Sequence, residues 1–298
     1  MNAVETQAVG KRYGRTWALR DCTLAIPSGR VVALVGPNGA GKTTLLNLAV
    51  GLATPTDGHV AVLGDVVPGS QPALDRIAFA AQDTPLYANL SVADTLRLVA
   101  NLSKRWDGAN ARQRLAELGI PLRQRVGKLS GGQHAQVALA VALARHPELL
   151  ILDEPVARLD PLARHDFMAA LMAAVADEGL SVLLSSHVVA ELERVCDYLV
   201  VLSRGRVQVA GDVDELIAGH RILTGPAADL DAVVAQHDVV HLRSAERQAT
   251  ALVRMTRPVR APAGWRLDET NLEELVLSYL RAPQASALPG PVNEAVSA

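Results

Sequence analysis

The chain has 298 residues, 49% of them hydrophobic, and a formal net charge of −2, which allows one large domain plus a small one around a sizeable core. That balance argues against a disordered chain and against broad nucleic-acid binding, whose usual footprint is a basic face, so no nucleic-acid partner is expected, though a local basic patch stays open. The two cysteines, Cys22 and Cys196, have no metal-ligand spacing and read as core thiols.

Residues 3–9 and 17–26 read as strands from their Val, Thr, Leu and Ile content, joined by the turn Gly10–Gly14 that carries Tyr13. An aromatic in such a turn either stacks on a base or simply packs. The unbroken apolar run Val31–Val35 predicts a buried parallel strand, and Thr44–Ala49 predicts a helix. Between them Gly36-Pro37-Asn38-Gly39-Ala40-Gly41-Lys42-Thr43 fits the phosphate-loop pattern G-x-x-x-x-G-K-[ST] at every fixed position. Its glycines let the backbone come close to phosphates, so that successive N–H groups and the positive end of the new helix face the anion. Lys42 adds a point charge at the outer phosphates, and the Thr43 hydroxyl is placed for Mg2+. Lysine is otherwise found only at positions 11, 104 and 128, and a compact ammonium suits this position better than arginine's planar fork.

Residues 58–62 and 76–80 look like further strands, with Gln82 just past the second, where a polar residue can sense a bound ligand. Residues 91–126 read as a helical insertion that starts with a capping box at Ser91 and Asp94. From Lys104 to Lys128 it carries seven cations against two acids, either a solvated face or one turned towards anionic lipid or an acidic loop. No basic region with an apolar segment opens the chain, and the longest apolar run, Val137–Ala144, falls far short of the roughly 20 residues of a membrane span. Any span is therefore expected in another chain.

Leu129-Ser130-Gly131-Gly132-Gln133 opens the apolar helix 135–144 and reads as a second anion site. One nucleotide does not need two such sites from one chain, which makes sense if the second serves a nucleotide held by another subunit. The buried strand Leu149–Leu152 runs into Asp153-Glu154-Pro155, and alternation along a strand sends the two acids in different directions. Asp153 can then hold Mg2+ while Glu154 polarises an attacking water. Asp160-Pro161 reads as an N-cap opening a helix to about Asp177. Ser181–Ser185 is another buried strand, and His187 past its end should open onto the same sheet edge as Asp153.

In this order, the loop, Gln82, the pentapeptide 129–133, the carboxylate pair, Asp160 and His187 resemble the nucleotide-binding subunits of ABC transporters over residues 3–218. The resemblance implies an α/β P-loop NTPase core with a mixed, mainly parallel sheet, an antiparallel N-terminal β subdomain and a helical signature subdomain at about 88–148. This ATPase domain would occupy 1–219. It implies ATP and Mg2+ as ligands and a head-to-tail dimer of two ATPase subunits. In each ATP site, the phosphate loop Gly36 to Thr43 of one chain would face Ser130 and Gly132 of the other, and Thr44, Gly131, Gln133 and Asp160 would also belong to the nucleotide-binding set. Tyr13 would stack on adenine and Gln82 would sense Mg2+ and water. Thr43 and Asp153 would hold the metal, Glu154 would be the catalytic base, and His187 would contact the γ-phosphate. One departure is Arg158, a long cation where the family has a small residue, at the expected dimer seam.

Beyond residue 219 the segments 221–224, 227–236, 239–242, 249–255 and the amphipathic 271–280 predict a small α+β accessory domain over 220–282. Residues 283–298, rich in Pro, Ala and Ser, predict a disordered tail. Asn271–Leu275 resembles the C-terminal helix of drug- and antibiotic-exporting ATPases whose permease is a separate chain. The expected function is therefore the ATPase of an exporter of a drug, antibiotic or other small hydrophobic compound. It would sit at the cytoplasmic face of the cell membrane with separate integral-membrane permease subunits. An importer ATPase and an ATP-gated switch with little turnover are the alternatives. The short interval from Lys42 to Leu129 leaves no room for the long coiled coil of chromosome and repair ATPases, and a translation factor would need two cassettes.

Overall fold

In the computed structural model, which describes residues 1–82, 86–255 and 260–288, every residue of β3 (Val31–Val35) is buried. The reason lies in its alternation. Val31, Ala33 and Val35 enter one core cluster and Val32 and Leu34 the other, on opposite faces of the sheet. Before it, β1 (Asn2–Tyr13) and β2 (Thr16–Pro27) form an antiparallel hairpin, and β1 also pairs with β4 (Asp57–Val62). Helix α1 (Lys42–Ala49) leaves the end of β3 and buries Leu45, Leu46 and Leu48 between that sheet and the central one.

Next come α2 (Gln71–Arg76) and β5 (Ile77–Ala80). Arg76, expected in a strand, instead ends α2, because Pro72 in its first turn starts a helix that reaches the strand. The helical insertion holds α3 (Val92–Leu102), α4 (Gly108–Glu117) and α5 (Gly131–Leu143) around a core of their own, built on Val92, Leu96, Leu115 and Val137. The Ser91–Asp94 capping box is present. Of the basic run, Lys104 pairs with Asp75 at 2.6 Å and Arg105 lies 3.9 Å from Glu148, while Arg123, Arg125 and Lys128 are exposed.

The chain continues through β6 (Leu149–Asp153), α6 (Pro161–Glu178), β7 (Ser181–Ser186), β8 (Tyr198–Ser203) and β9 (Arg206–Asp212). These complete a six-stranded sheet of order β5-β6-β7-β3-β8-β9, parallel except for β9. Because β3 sits between β7 and β8, the C-terminal ends of β3, β6 and β7 open on one edge, where a doubly wound sheet binds ligands.

The C-terminal part comprises α7 (Val213–Ala218), β10 (His220–Pro226), α8 (Leu230–Gln236), β11 (Asp238–Ser244), β12 (Gln248–Arg254), β13 (Arg266–Glu269) and α9 (Leu272–Arg281). Its antiparallel sheet, of order β11-β12-β10-β13, packs one face under α8 through Leu223, Val233, Ala251 and Trp265. The other face, with Val240 and Leu252, joins the main core together with Leu272, Leu275, Val276 and Tyr279 of α9. The chain position near 219 is thus no break in the core. Of the expected tail, residues 283–288 are ordered instead, because Ala287 bridges β9 through hydrogen bonds with Gln208 and Ala210, both 2.9 Å. Residues 289–298 lie outside the described residues. Among the described residues no helix is long and apolar enough to cross a membrane.

Candidate active site

The phosphate loop depends on missing side chains at two points. A Cβ on Gly36 would lie 2.3 Å from the Leu202 carbonyl oxygen, and one on Gly41, where φ is +106°, would lie 2.7 Å from that of Ala18. Only glycine fits either position. Lys42, the first residue of α1, is 7% exposed; its ammonium donates to the Gly36 carbonyl at 2.8 Å and lies 3.3 Å from Glu154 Oε1. A buried ammonium is stable only with such partners.

The second half of the site is built where β6 and β7 end. Ser185 Oγ donates to Asp153 Oδ1 at 2.6 Å and accepts the Glu154 backbone N–H at 2.9 Å, using both hydroxyl functions. Asp153 is thereby fixed at 2% exposure. Glu154 takes φ +50°, a left-handed value that costs on the order of 1–3 kcal/mol for a non-glycine residue. It leaves the strand geometry there, and its carboxylate reaches Lys42 on one side and His187 Nδ1, at 2.6 Å, on the other. The two adjacent acids do part company, one inward to Ser185 and one towards the loop.

A cavity of about 440 Å3, within the range of small-molecule sites, is bounded by residues 37–44, Tyr13, Ala18, Gln82, Glu154 and His187. Tyr13 stands at its lip, 52% exposed, with the Lys11 ammonium 5.0 Å from its ring centre. A glycine cradle, a helix N-terminus and a buried ammonium fit a polyphosphate. The oxygen donors of Thr43, Gln82 and Asp153 are of the hard type that suits Mg2+.

Ser130, Gly132, Gln133 and Asp160 border a different cavity, of about 220 Å3, between α5 and α6. Within one chain the structure does not bring these residues to the loop. Ser130 Oγ accepts the Gln133 N–H at 3.2 Å and Gln133 Oε1 accepts the Ser130 N–H at 3.1 Å, a capping box that starts α5 at Gly131 rather than Ala135. The S-x-x-Q spacing carries that signal in the sequence. Asp160 caps α6 by accepting from Leu162 and Ala163 N–H groups at 3.1 and 3.0 Å. Gly36, Gly131 and Asp153 line neither cavity. Exposed Arg158 shares the signature surface, its carbonyl 3.8 Å from where a Gly131 Cβ would sit. Ser185 and Ala18 were not singled out by the sequence; a polar residue inside a fully buried strand was the available sign for Ser185.

A family model described as ABC transporter matches residues 19–157. An Fe(3+) ions import ATP-binding protein of Pseudomonas fluorescens is 36% identical over 281 residues, covering 87% of this chain and 78% of that one. The Nod factor export ATP-binding protein I of Cupriavidus pinatubonensis is 36% identical over 220 residues, 72% of this chain and 67% of that one. The dimeric structure of a bacterial ABC transporter cassette matches with a TM-score of 0.63 at 25% identity, covering 70% of this chain and 98% of that one. Since the first of these matches extends over most of both chains, the chain belongs to the ABC transporter family, of which it is an ATP-binding and ATP-hydrolysing cassette.

Proposed function

We propose that this cassette powers export of a drug, antibiotic or other small hydrophobic compound through separate membrane permease subunits, from the cytoplasmic face of the membrane. The observation that carries the ATPase chemistry is the Glu154 carboxylate, held at the cavity wall between Lys42 and His187. With ATP in the cleft, Lys42 turns to the outer phosphates and Glu154 takes a proton from the attacking water. His187, with Nδ1 2.6 Å from Glu154 Oε2, would donate through a ring N–H to the γ-phosphate. Thr43, Asp153 and Gln82 would hold Mg2+, which neutralises charge developing on the phosphate oxygens. Tyr13 at the lip provides a face for adenine.

Ser130, Gly131, Gly132, Gln133 and Asp160 act on the ATP of a second ATPase subunit. Their separate cavity and the dimeric cassette among the structural relatives support this reading. Residues 1–219 supply the chemistry and 220–282 form the accessory part.

Support for export comes from the Nod factor export relative. Import is the second reading, favoured by the iron-import relative, whose match spans 281 residues. The test of hydrolysis is ATP turnover of purified Glu154→Gln beside wild type, with size exclusion in ATP. Wild-type turnover with an inactive, ATP-dimerised variant is expected; equal, negligible rates in both would favour an ATP-gated switch. Direction is read from substrate flux in vesicles carrying the co-purified permease.

A further inference from the structure

The C-terminal helix α9 is fastened at both ends to the nucleotide-binding core. At its far end the amide Nε2 of Gln208 of β9, only 5% exposed, shares its two N–H groups among the carbonyls of Tyr279, Ala282 and Ala285, at 2.6, 2.9 and 2.9 Å. At its near end the Leu272 N–H donates to Glu193 Oε1 at 3.2 Å. Glu193 belongs to the short segment that runs from His187 to β8. That segment starts with a tight turn, Val188 N–H to Ser186 Oγ at 3.0 Å, and contains the 3-10 turn Val189–Glu191 on which α9 packs. Val189, Leu192 and Cys196 point into the same core cluster as Leu272, Leu275 and Val276.

The segment is held at the end of β7, at the start of β8, where the Asp197 N–H donates to the Val31 carbonyl at 3.0 Å, and along α9. His187 is its first residue, and the side chain is half exposed, so packing around the imidazole itself does little to hold it.

We infer that α9 is a positioning element for His187: by holding segment 188–196 through Glu193 and the shared apolar core, it keeps the imidazole against Glu154. The inference rests on the proposal that Glu154 and His187 act in hydrolysis. It makes ATP turnover depend on a helix that touches no part of the nucleotide cavity. The helix acts on the rate and not on nucleotide affinity, because the loop residues 36–44 are built without it.

The test uses the full chain with Glu193→Ala, which removes the acceptor, and Glu193→Gln, which keeps one. Glu193 is exposed, so neither change threatens the core. A lost hydrogen bond of this kind, at its central net worth of about 1 kcal/mol, corresponds to about a fivefold change in rate. The expected result is a three- to fivefold fall in kcat for Glu193→Ala with KM for MgATP within twofold, faster amide exchange confined to 188–196, and near wild-type behaviour of Glu193→Gln. Unchanged exchange over 188–196 in Glu193→Ala overturns the proposal whatever the rates, as does a Gln variant that falls as far as Ala. If Glu154→Gln is inactive while Glu193→Ala matches wild type, the hydrolysis reading stands and only the positioning role fails. If Glu154→Gln turns over like wild type, the hydrolysis reading itself fails.

Discussion

Two buried polar clusters, one at the edge of the parallel sheet and one under the C-terminal sheet, are solved in opposite ways. At the nucleotide edge the buried groups are charged: Lys42, Asp153 and Glu154 are all at or below 9% exposure, and Lys42 and Glu154 border an open cavity. In the C-terminal part the cluster centres on a neutral pair. His220 Nδ1–H donates to the Leu216 carbonyl at 2.6 Å, its Nε2 accepts the Tyr279 hydroxyl at 2.8 Å, and Arg254 donates to the same hydroxyl at 3.2 Å. Burial holds the His220 pKa below its ordinary value, so the neutral form that this pattern needs is the stable one. Buried charge beside a cavity is costly to folding and useful to a ligand. A network centred on a neutral histidine–tyrosine pair borders no part of the nucleotide cavity, but it fixes where a helix sits.

If that contrast is right, changes at the nucleotide edge should strike chemistry and changes in the C-terminal cluster should strike stability. The largest effect is expected from Glu154→Gln, which keeps the shape and removes the charge. Steady-state turnover should fall on the order of 10²–10⁴-fold, the usual worth of a general base. Next, Gly36→Ala should raise the Kd for MgATP more than about tenfold in equilibrium binding, equivalent to about 1.4 kcal/mol. The new methyl cannot share space with the Leu202 carbonyl, and the loop must move.

Tyr279→Phe is the mirror experiment. It leaves His220 Nε2 buried without a donor and should lower unfolding free energy by about 1–3 kcal/mol in urea titration, with KM for ATP unmoved. A large KM change here would erase the contrast between the two clusters.

A smaller effect is expected from pH. With the folded pKa of His220 below the unfolded value, its contribution to stability is complete above the unfolded pKa, near 6.5, and is lost as pH falls below it, by at most about 1.4 kcal/mol per pH unit. Denaturation midpoints compared between neutral and mildly acid buffer should show this loss in wild type and a flatter profile in His220→Gln. The smallest change in stability is expected from Ser130→Ala, which removes the cap of α5 and should cost about 1 kcal/mol by thermal unfolding of the nucleotide-free chain.

Much of the nucleotide edge was legible because it is written in short stretches. The phosphate loop, the acid pair after an apolar strand and the Ser91 capping box each depend on neighbours within a few residues, so spacing alone reports them. The capping box at Ser130 and Gln133 is equally local, and reading the serine only as an anion donor concealed it. The apolar run of β8, Tyr198–Ser203, is as plain as that of β3. By contrast β13, with the sequence Arg-Leu-Asp-Glu, has no alternation to read and is a strand only because β10 offers it an edge.

Spacing and periodicity suffice to show that a phosphate loop follows one buried strand, that carboxylates and a histidine end two others, and that residues 271–280 form a helix with one apolar face. The folded packing sets what spacing does not: Ser185 joins Asp153 to Glu154, Glu154 leaves its strand in a left-handed turn towards Lys42, and the last helix belongs to the main core. The cause is the same in each case. Periodicity shows that a face must be buried and a polar atom must be paired, but the partner lies 31 residues or more away in the chain, and only the folded packing selects it.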